Sequence, residues 1–209
     1  TAAMLVNRIT TNHTYFMREK EHFYYFRDEV LPYLARTVTD RDLRIWCAAC
    51  STGEESYTLA IILREYFGMN NIFWDTKILA TDISVQALQE ARNGIYSADR
   101  ISVLPPEWVN TYFTKVDRDK YKIADIVKDN VIYRKFNLIE NHYPFKRKFH
   151  VIFCRNVMIY FDGDTNKWLV NRLYDILEPG GYLFIGHSEF IAKGETGFQY
   201  IMPAVYRKI

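Results

Sequence analysis

The sequence predicts an α/β fold: a mostly parallel sheet with helices on both faces, an antiparallel terminal hairpin and a small antiparallel β insert. Three observations predict it. Short apolar runs at 43–48, 77–81 and 149–154 alternate with longer segments of helical spacing, the rhythm of parallel strands joined by helical crossovers. The first run passes through Ala48-Ala49-Cys50-Ser51-Thr52-Gly53, a turn of small residues. The tail at 198–208 reads as two short strands turning near Pro203.

Taken in order, residues 10 to about 37 predict a helix, with Phe16, Phe23, Phe26 and Val30 on one apolar face. Pro32 is expected to kink or break it near its end. A strand at 43–48 leads into a long apolar helix at 53–67, and a strand at 77–81 into a helix at 84–92 with Ser84 as N-cap. The run at 149–154 has the continuous apolar character of a buried strand. The helix at 165–177 is expected to be capped by Thr165 and ended by Pro179-Gly180-Gly181, and another strand to start at Gly181. Residues 95–137 break the rhythm. A helix after Pro105-Pro106 and short segments at 121–124, 126–127 and 131–136 suggest a small antiparallel insert at about 97–136. The domain reading is thus an N-terminal helix and linker at 1–36, followed by one α/β domain at 37–209.

Composition narrows the function classes. The 209 residues are 49% hydrophobic and 25% charged, the balance of a globular domain with a real core. A net charge of +2 calls for neither nucleic acid nor an anionic membrane. Lys146-Arg147-Lys148, the one basic cluster, reads as a solvated loop. No apolar run approaches the roughly 20 residues of a membrane span, so no membrane insertion is expected. The start, Thr1-Ala2-Ala3-Met4, has no signal-peptide pattern. Cys47, Cys50 and Cys154 are too few for a disulfide framework and suit a reducing compartment. Cys47-x-x-Cys50 lacks the further ligands of a tetrahedral site, so no metal is expected.

Ligands of open α/β sheets bind beyond the carboxyl ends of the strands, where strand order reverses. After the first strand, small side chains allow close approach to the backbone. Glu54 and Glu55 there suit a cationic group such as an ammonium better than a phosphate. They also fit capping boxes, as Ser51-x-x-Glu54 and Thr52-x-x-Glu55. After the second strand, Asp82 can accept ribose hydroxyls, as an acid does in dinucleotide folds, or simply start a helix. After the third come Arg155, Asn156 and Tyr160. A charge next to a buried strand needs a partner, and both a ligand carboxylate and a structural carboxylate are candidates for Arg155.

Seven segments together resemble the CheR-type chemotaxis receptor methyltransferases. They are the ten residues from Thr10 to Glu19, Ser51-Thr52-Gly53-Glu54-Glu55-Ser56-Tyr57, Ala80-Thr81-Asp82-Ile83, Ala91-Arg92-Asn93-Gly94-Ile95-Tyr96, Phe136-Asn137-Leu138, residues 152–162, and Gly186-His187-Ser188-Glu189. The resemblance implies a Rossmann-like fold that binds S-adenosyl-L-methionine, releases S-adenosyl-L-homocysteine, and methylates glutamate side chains on the cytoplasmic helices of chemotaxis receptors. It implies that Asn12, Thr14, Arg18, Glu55, Asp82, Asn137, Leu138, Arg155 and Asn156 hold the cofactor. Arg18, Arg155 and Tyr160 would flank the transferred methyl group and the acceptor carboxylate. A cytoplasmic, monomeric protein is the corresponding expectation.

Two departures stand out. The helical N-terminal domain of the family has almost no counterpart before Thr10. The stretch Lys115-Val116-Asp117-Arg118-Asp119-Lys120 lacks the glycine of the loop with which some members bind a receptor-tail pentapeptide, so dependence on that tether is not expected. The alternatives are a related methyltransferase acting on another protein or a small carboxylate, and a cofactor-binding regulatory module without turnover.

Overall fold

The computed structural model describes residues 13–192, 194 and 196–209. The first part of the expected N-terminal helix, with Asn12, lies outside the described residues. From His13 to Lys20 the chain is not helical. Met17 and Glu19 adopt left-handed φ values of 57° and 54°, conformations that an α-helix does not contain. The helix α1 starts at Glu21 and is continuous through Glu21–Tyr25, Phe26–Val30 and Leu31–Thr37. Pro32 does not end it. The middle segment is a π turn in which the Leu31 N–H bonds back to the Phe26 carbonyl, and this wider turn accommodates a residue that has no N–H to give.

Next come β1 (Ile45–Ala48), α2 (Glu54–Phe67), β2 (Ile78–Asp82) and α3 (Val85–Asn93). Ser84 caps α3 as expected, accepting the Ala87 N–H at 3.2 Å. The insert comprises β3 (Ile95–Ser97), α4 (Ala98–Ile101), α5 (Pro106–Tyr112), β4 (Phe113–Asp117), β5 (Lys120–Ile123) and α6 (Asp125–Lys128). Its antiparallel sheet has the order β3-β5-β4. Residues 126–127 are helical rather than extended. The run after Val131 is β6 (Val131–Lys135), which pairs in parallel with β2 as an edge of the main sheet.

The chain continues through β7 (Phe149–Cys154), α7 (Gly163–Asp175), β8 (Leu177–Phe184), β9 (Phe198–Met202) and β10 (Val205–Lys208). Two expectations shift here. The cap of α7 is Asp162, whose carboxylate accepts the Thr165 N–H at 2.8 Å; Thr165 sits at the receiving end of that bond. Pro179-Gly180-Gly181 lies inside β8, at a register irregularity against β7, and α7 has already ended. The terminal hairpin turns at Pro203-Ala204 as expected.

Among the described residues the main sheet has the order β6-β2-β1-β7-β8-β10-β9. The first five strands are parallel, β10 runs antiparallel to β8, and β9 runs antiparallel to β10. Strand β1 is therefore the point from which successive strands are laid down first to one side and then to the other. Its side chains alternate between two apolar layers. Ile45 and Cys47 pack with α1 and α2, through Phe23, Phe26, Leu59 and Ile62. Trp46 and Ala48 pack with α7, through Leu169 and Leu173. The aromatic residues mostly fill these layers, as in the Phe153–Phe184 stack at 4.3 Å. No described helix is long and apolar enough to cross a membrane.

Candidate active site

The carboxyl ends of β1, β2, β6 and β7 meet where the strand order reverses, the location where open α/β sheets place ligands. The turn after β1 is fixed by its own backbone. Ala49 and Ser51 take φ values of 63° and 49°, and the Cys50 N–H bonds to the Thr81 carbonyl at 2.8 Å. Gly53 caps α2 at φ +98°, and a β-carbon there would lie 2.9 Å from the hydroxyls of both Tyr96 and Tyr133. A glycine is required on both counts. Neither expected capping box forms, because Gly53 has the N-cap position and no side chain caps α2. The Ser51 hydroxyl is buried with no hydrogen-bond partner among the described residues.

The two glutamates after Gly53 have separate duties. Glu54 is fully buried and is paired with Arg100 of the insert. Thr52 donates to it at 2.7 Å, and the Tyr96 hydroxyl donates to the Thr52 carbonyl at 2.7 Å. Glu54 thereby ties the insert to the loop. Glu55 points to the other side, 3.1 Å from Arg155 Nη1 and within reach of the Cys47 thiol at 3.1 Å. Burial raises the Glu55 pKa, and Arg155 opposes the shift.

Asp82 closes β2. Its Oδ2 accepts the Ser51 N–H and its Oδ1 the Ser84 N–H, both at 2.8 Å. An ionised carboxylate has about four acceptor positions, so each oxygen keeps capacity for a ligand hydroxyl. Burial lifts its pKa above the ordinary value, against the pull of these backbone donors. Beside it, the Phe136 N–H bonds to the Asp82 carbonyl at 3.0 Å. Asn137 and Leu138 thus follow directly from β6, and the buried Leu138 offers its carbonyl to Tyr143.

Arg155, 4% exposed, is the hub. Its partner is structural: Nη2 lies 3.1 Å from Glu19 and Nη1 the same distance from Glu55. Nη2 also donates to the Arg18 carbonyl, and the guanidinium lies over the Phe23 ring at 5.1 Å. Arg18 contributes through that carbonyl, while its side chain donates to the His13 carbonyl at 2.5 Å. Glu19 is net lowered in pKa: burial raises it, but Arg155 and the His187 backbone N–H pull it below the usual value. The two positive-φ residues around Arg18 create this arrangement, since a continuous helix would carry the Arg18 carbonyl into its own ladder.

Asn156 takes φ 59°, and its N–H bonds to Glu189 Oε2 at 3.0 Å. Glu189 accepts three more backbone N–H groups, from Gly186 at 2.6 Å, Met158 at 2.7 Å and Ile159 at 3.3 Å. This one buried carboxylate joins the exits of β7 and β8. Thr14 is half-buried, and Tyr160 is 43% exposed in the turn Met158–Tyr160. No contact among the described residues joins either side chain to Arg155.

The structure therefore gathers Glu55, Asp82, Asn137, Leu138, Arg155, Asn156 and the Arg18 backbone at one end of the sheet. Sequence reasoning missed Glu19, Arg100 and Glu189. The Gly186-His187-Ser188-Glu189 segment was the available signal for the last of these. The donor set suits a nucleoside carrying an amino-acid group, with a carboxylate for a diol, a carboxylate for an ammonium and a glycine turn open to close approach.

A family described as CheR methyltransferase, SAM binding domain, matches residues 12–206. A chemotaxis protein methyltransferase of Borreliella burgdorferi is 46% identical over 207 residues, covering 98% of this chain and 73% of that protein. One of Salmonella typhimurium is 39% identical over 204 residues, covering 91% and 67% respectively. Among solved structures, an S-adenosylmethionine dependent methyltransferase from Mesorhizobium loti is similar with a TM-score of 0.39 at 17% identity, covering 74% of this chain and 51% of that one. On the family match and the identity to these relatives, the chain belongs to the CheR methyltransferase family and is an S-adenosylmethionine-dependent methyltransferase.

Proposed function

We propose that the chain transfers a methyl group to glutamate side-chain carboxylates on the cytoplasmic helices of chemotaxis receptors, forming methyl esters. The observation that carries this reading is Arg155, a buried guanidinium held between two carboxylates at the strand ends. With Glu55 engaged by the ammonium of the cofactor, the Nη1 arm it faces would be available to orient a further carboxylate, that of the acceptor.

S-adenosylmethionine supplies a methyl group already activated on a sulfonium. Asp82 would hold the ribose hydroxyls, and Glu55 the ammonium of the amino-acid end. Asn137, Leu138, Asn156, Asn12 and Thr14 would complete the enclosure. A glutamate carboxylate has a reference pKa of about 4.3 and is ionised at neutral pH, so the protein needs no general base. Its task is alignment and exclusion of water. Arg155 and Arg18 would steer the acceptor oxygen, and Tyr160 would orient it by a hydrogen bond. Arg155 spreads its charge over two existing partners, which keeps it from gripping the acceptor so firmly that the ground state is favoured over the transition state.

The hairpin of β4 and β5 turns at Arg118-Asp119 without a glycine, which supports independence from a receptor-tail pentapeptide. A cytoplasmic monomer completes the reading. The test is methyl transfer from labelled cofactor to receptor cytoplasmic fragments, read as alkali-labile methyl ester. Asp82→Asn should weaken S-adenosylhomocysteine binding by about ten- to hundredfold, as expected for losing a hydrogen bond to a charged group. Labelling of a small carboxylate but of no receptor fragment would overturn the substrate assignment.

A further inference from the structure

His22 is wholly buried, and both of its ring nitrogens face acceptors. Nε2 lies 3.3 Å from the Pro203 carbonyl oxygen, and Nδ1 lies 3.7 Å from Glu19 Oε2. A neutral imidazole carries one N–H. One of the two contacts therefore sets a lone pair against a lone pair. Nδ1 is buried with no hydrogen-bond partner among the described residues.

A third donor completes the group. The His22 and His187 rings stand edge to face with centroids 4.7 Å apart. One ligand atom from each of Glu19, His22 and His187 lies within 4.8 Å of the other two. We propose that Glu19, His22 and His187 bind one divalent cation of the zinc class, and that its binding restrains methyl transfer by drawing Glu19 away from Arg155.

Two imidazoles and a carboxylate are a zinc-type donor set, with metal–ligand distances of about 2.0–2.2 Å. Donors at that range lie ~3.4 Å apart in a tetrahedron, so Glu19 and His22 are nearly in place. His187, whose ligand atom lies within 4.8 Å of the other two, must close by up to about 1.4 Å on the same geometry, and as an exposed residue it can swing. The Pro203 carbonyl is the outer hydrogen-bond acceptor that metal-bound histidines usually have. It fixes the proton on Nε2 and leaves Nδ1 as the ligand atom. Arg155 would oppose the cation, but Glu55 and the Arg18 carbonyl remain as its partners when Glu19 turns away. The sequence carries no sign of this site, because His187 lies far along the chain from Glu19 and His22 and only the fold brings it beside them.

The regulatory half of the proposal rests on the proposed methyl transfer; the binding half does not. Binding is read on the full chain without cofactor or acceptor, by calorimetry with Zn2+ and by the visible absorption of Co2+. We expect one equivalent to bind, and His187→Ala or Glu19→Gln to weaken binding at least tenfold. Transfer to receptor fragments is then measured with and without Zn2+. His187→Ala should keep the metal-free rate and lose the inhibition. Absence of saturable binding, or equal binding by wild type and His187→Ala, overturns the site. Saturable binding with an unchanged transfer rate overturns the regulatory half. An enzyme inactive on every receptor fragment counts against the proposed function and leaves the binding result standing.

Discussion

Arg155 and Glu55, separated by a hundred positions in the chain, lie 3.1 Å apart across the junction of β7 and α2. Neither charge is independent of the other, because Arg155 is 4% exposed and burial alone pushes Glu55 toward its neutral form. Arg155→Lys keeps the charge but offers a single ammonium where the guanidinium spans Glu19 and Glu55. Breaking one arm of a buried pair costs on the order of 3–5 kcal/mol. We expect the Tm to fall by roughly 10 °C and methyl transfer to drop at least a hundredfold. A variant with wild-type Tm and turnover contradicts the hub assignment.

Glu189 makes a sharper case, because all four of its described hydrogen bonds go to backbone N–H groups. Glu189→Gln turns one oxygen into an NH2 group that faces donors. Bonds to a charged acceptor contribute about 1.5–3 kcal/mol each, so a loss of about 3 kcal/mol in urea denaturation is expected. Cofactor affinity should fall with it, since Asn156 is anchored by the same carboxylate.

Gly53→Ala meets two obstacles at once. The residue sits at φ +98°, and its new methyl group would lie 2.9 Å from two tyrosine hydroxyls. Left-handed backbone costs about 1–2 kcal/mol for a non-glycine residue, and overpacking about 1–3 more. The expected result is destabilisation of about 3 kcal/mol and loss of S-adenosylhomocysteine binding by calorimetry.

The pH dependence follows from two histidines. His22 and His150 are each lowered from 6.5 to about 4, mainly by burial. The unfolded chain then binds more protons than the folded one between these values, so stability falls as pH drops from 6.5 toward 4. Glu55 and Asp82 work the other way. Their raised values contribute stability that is present below their unfolded pKa and lost as pH rises through the folded one. Urea midpoints at pH 7.5, 6 and 5 should therefore descend, with unfolding taking up protons at the two histidines in the lower range, less those that Glu55 and Asp82 release. Imidazoles of His22 and His150 that titrate near 6.5 by NMR would contradict this reading.

Much of this was legible from local pattern. The run at 149–154 gave β7 its observed limits, and Ser84 its cap, because periodicity and capping depend on neighbours in sequence. Asp82 and Arg155 were found by their place after buried strands. The rest depends on long-range contacts. Val131–Lys135 looked like part of the insert because nothing local distinguishes an edge strand of one sheet from that of another. Pro32 looked like a terminator because a π turn leaves no composition signal. Glu19 falls within the stretch expected to be helical, and its own left-handed backbone, which sequence alone does not announce, takes it out of that helix.

The sheet order has a consequence for synthesis. Strands β1, β2 and β6 leave the ribosome early and can pair among themselves, whereas Ile45 must wait for Val151 to gain its second neighbour. Pairings of such long sequence separation form slowly. During that interval Glu55 is already placed at the start of α2, but the arginine that neutralises it has not yet been translated. The nascent half-sheet therefore carries an uncompensated carboxylate at its rim, and it is the arrival of β7 that both completes the sheet and balances the charge.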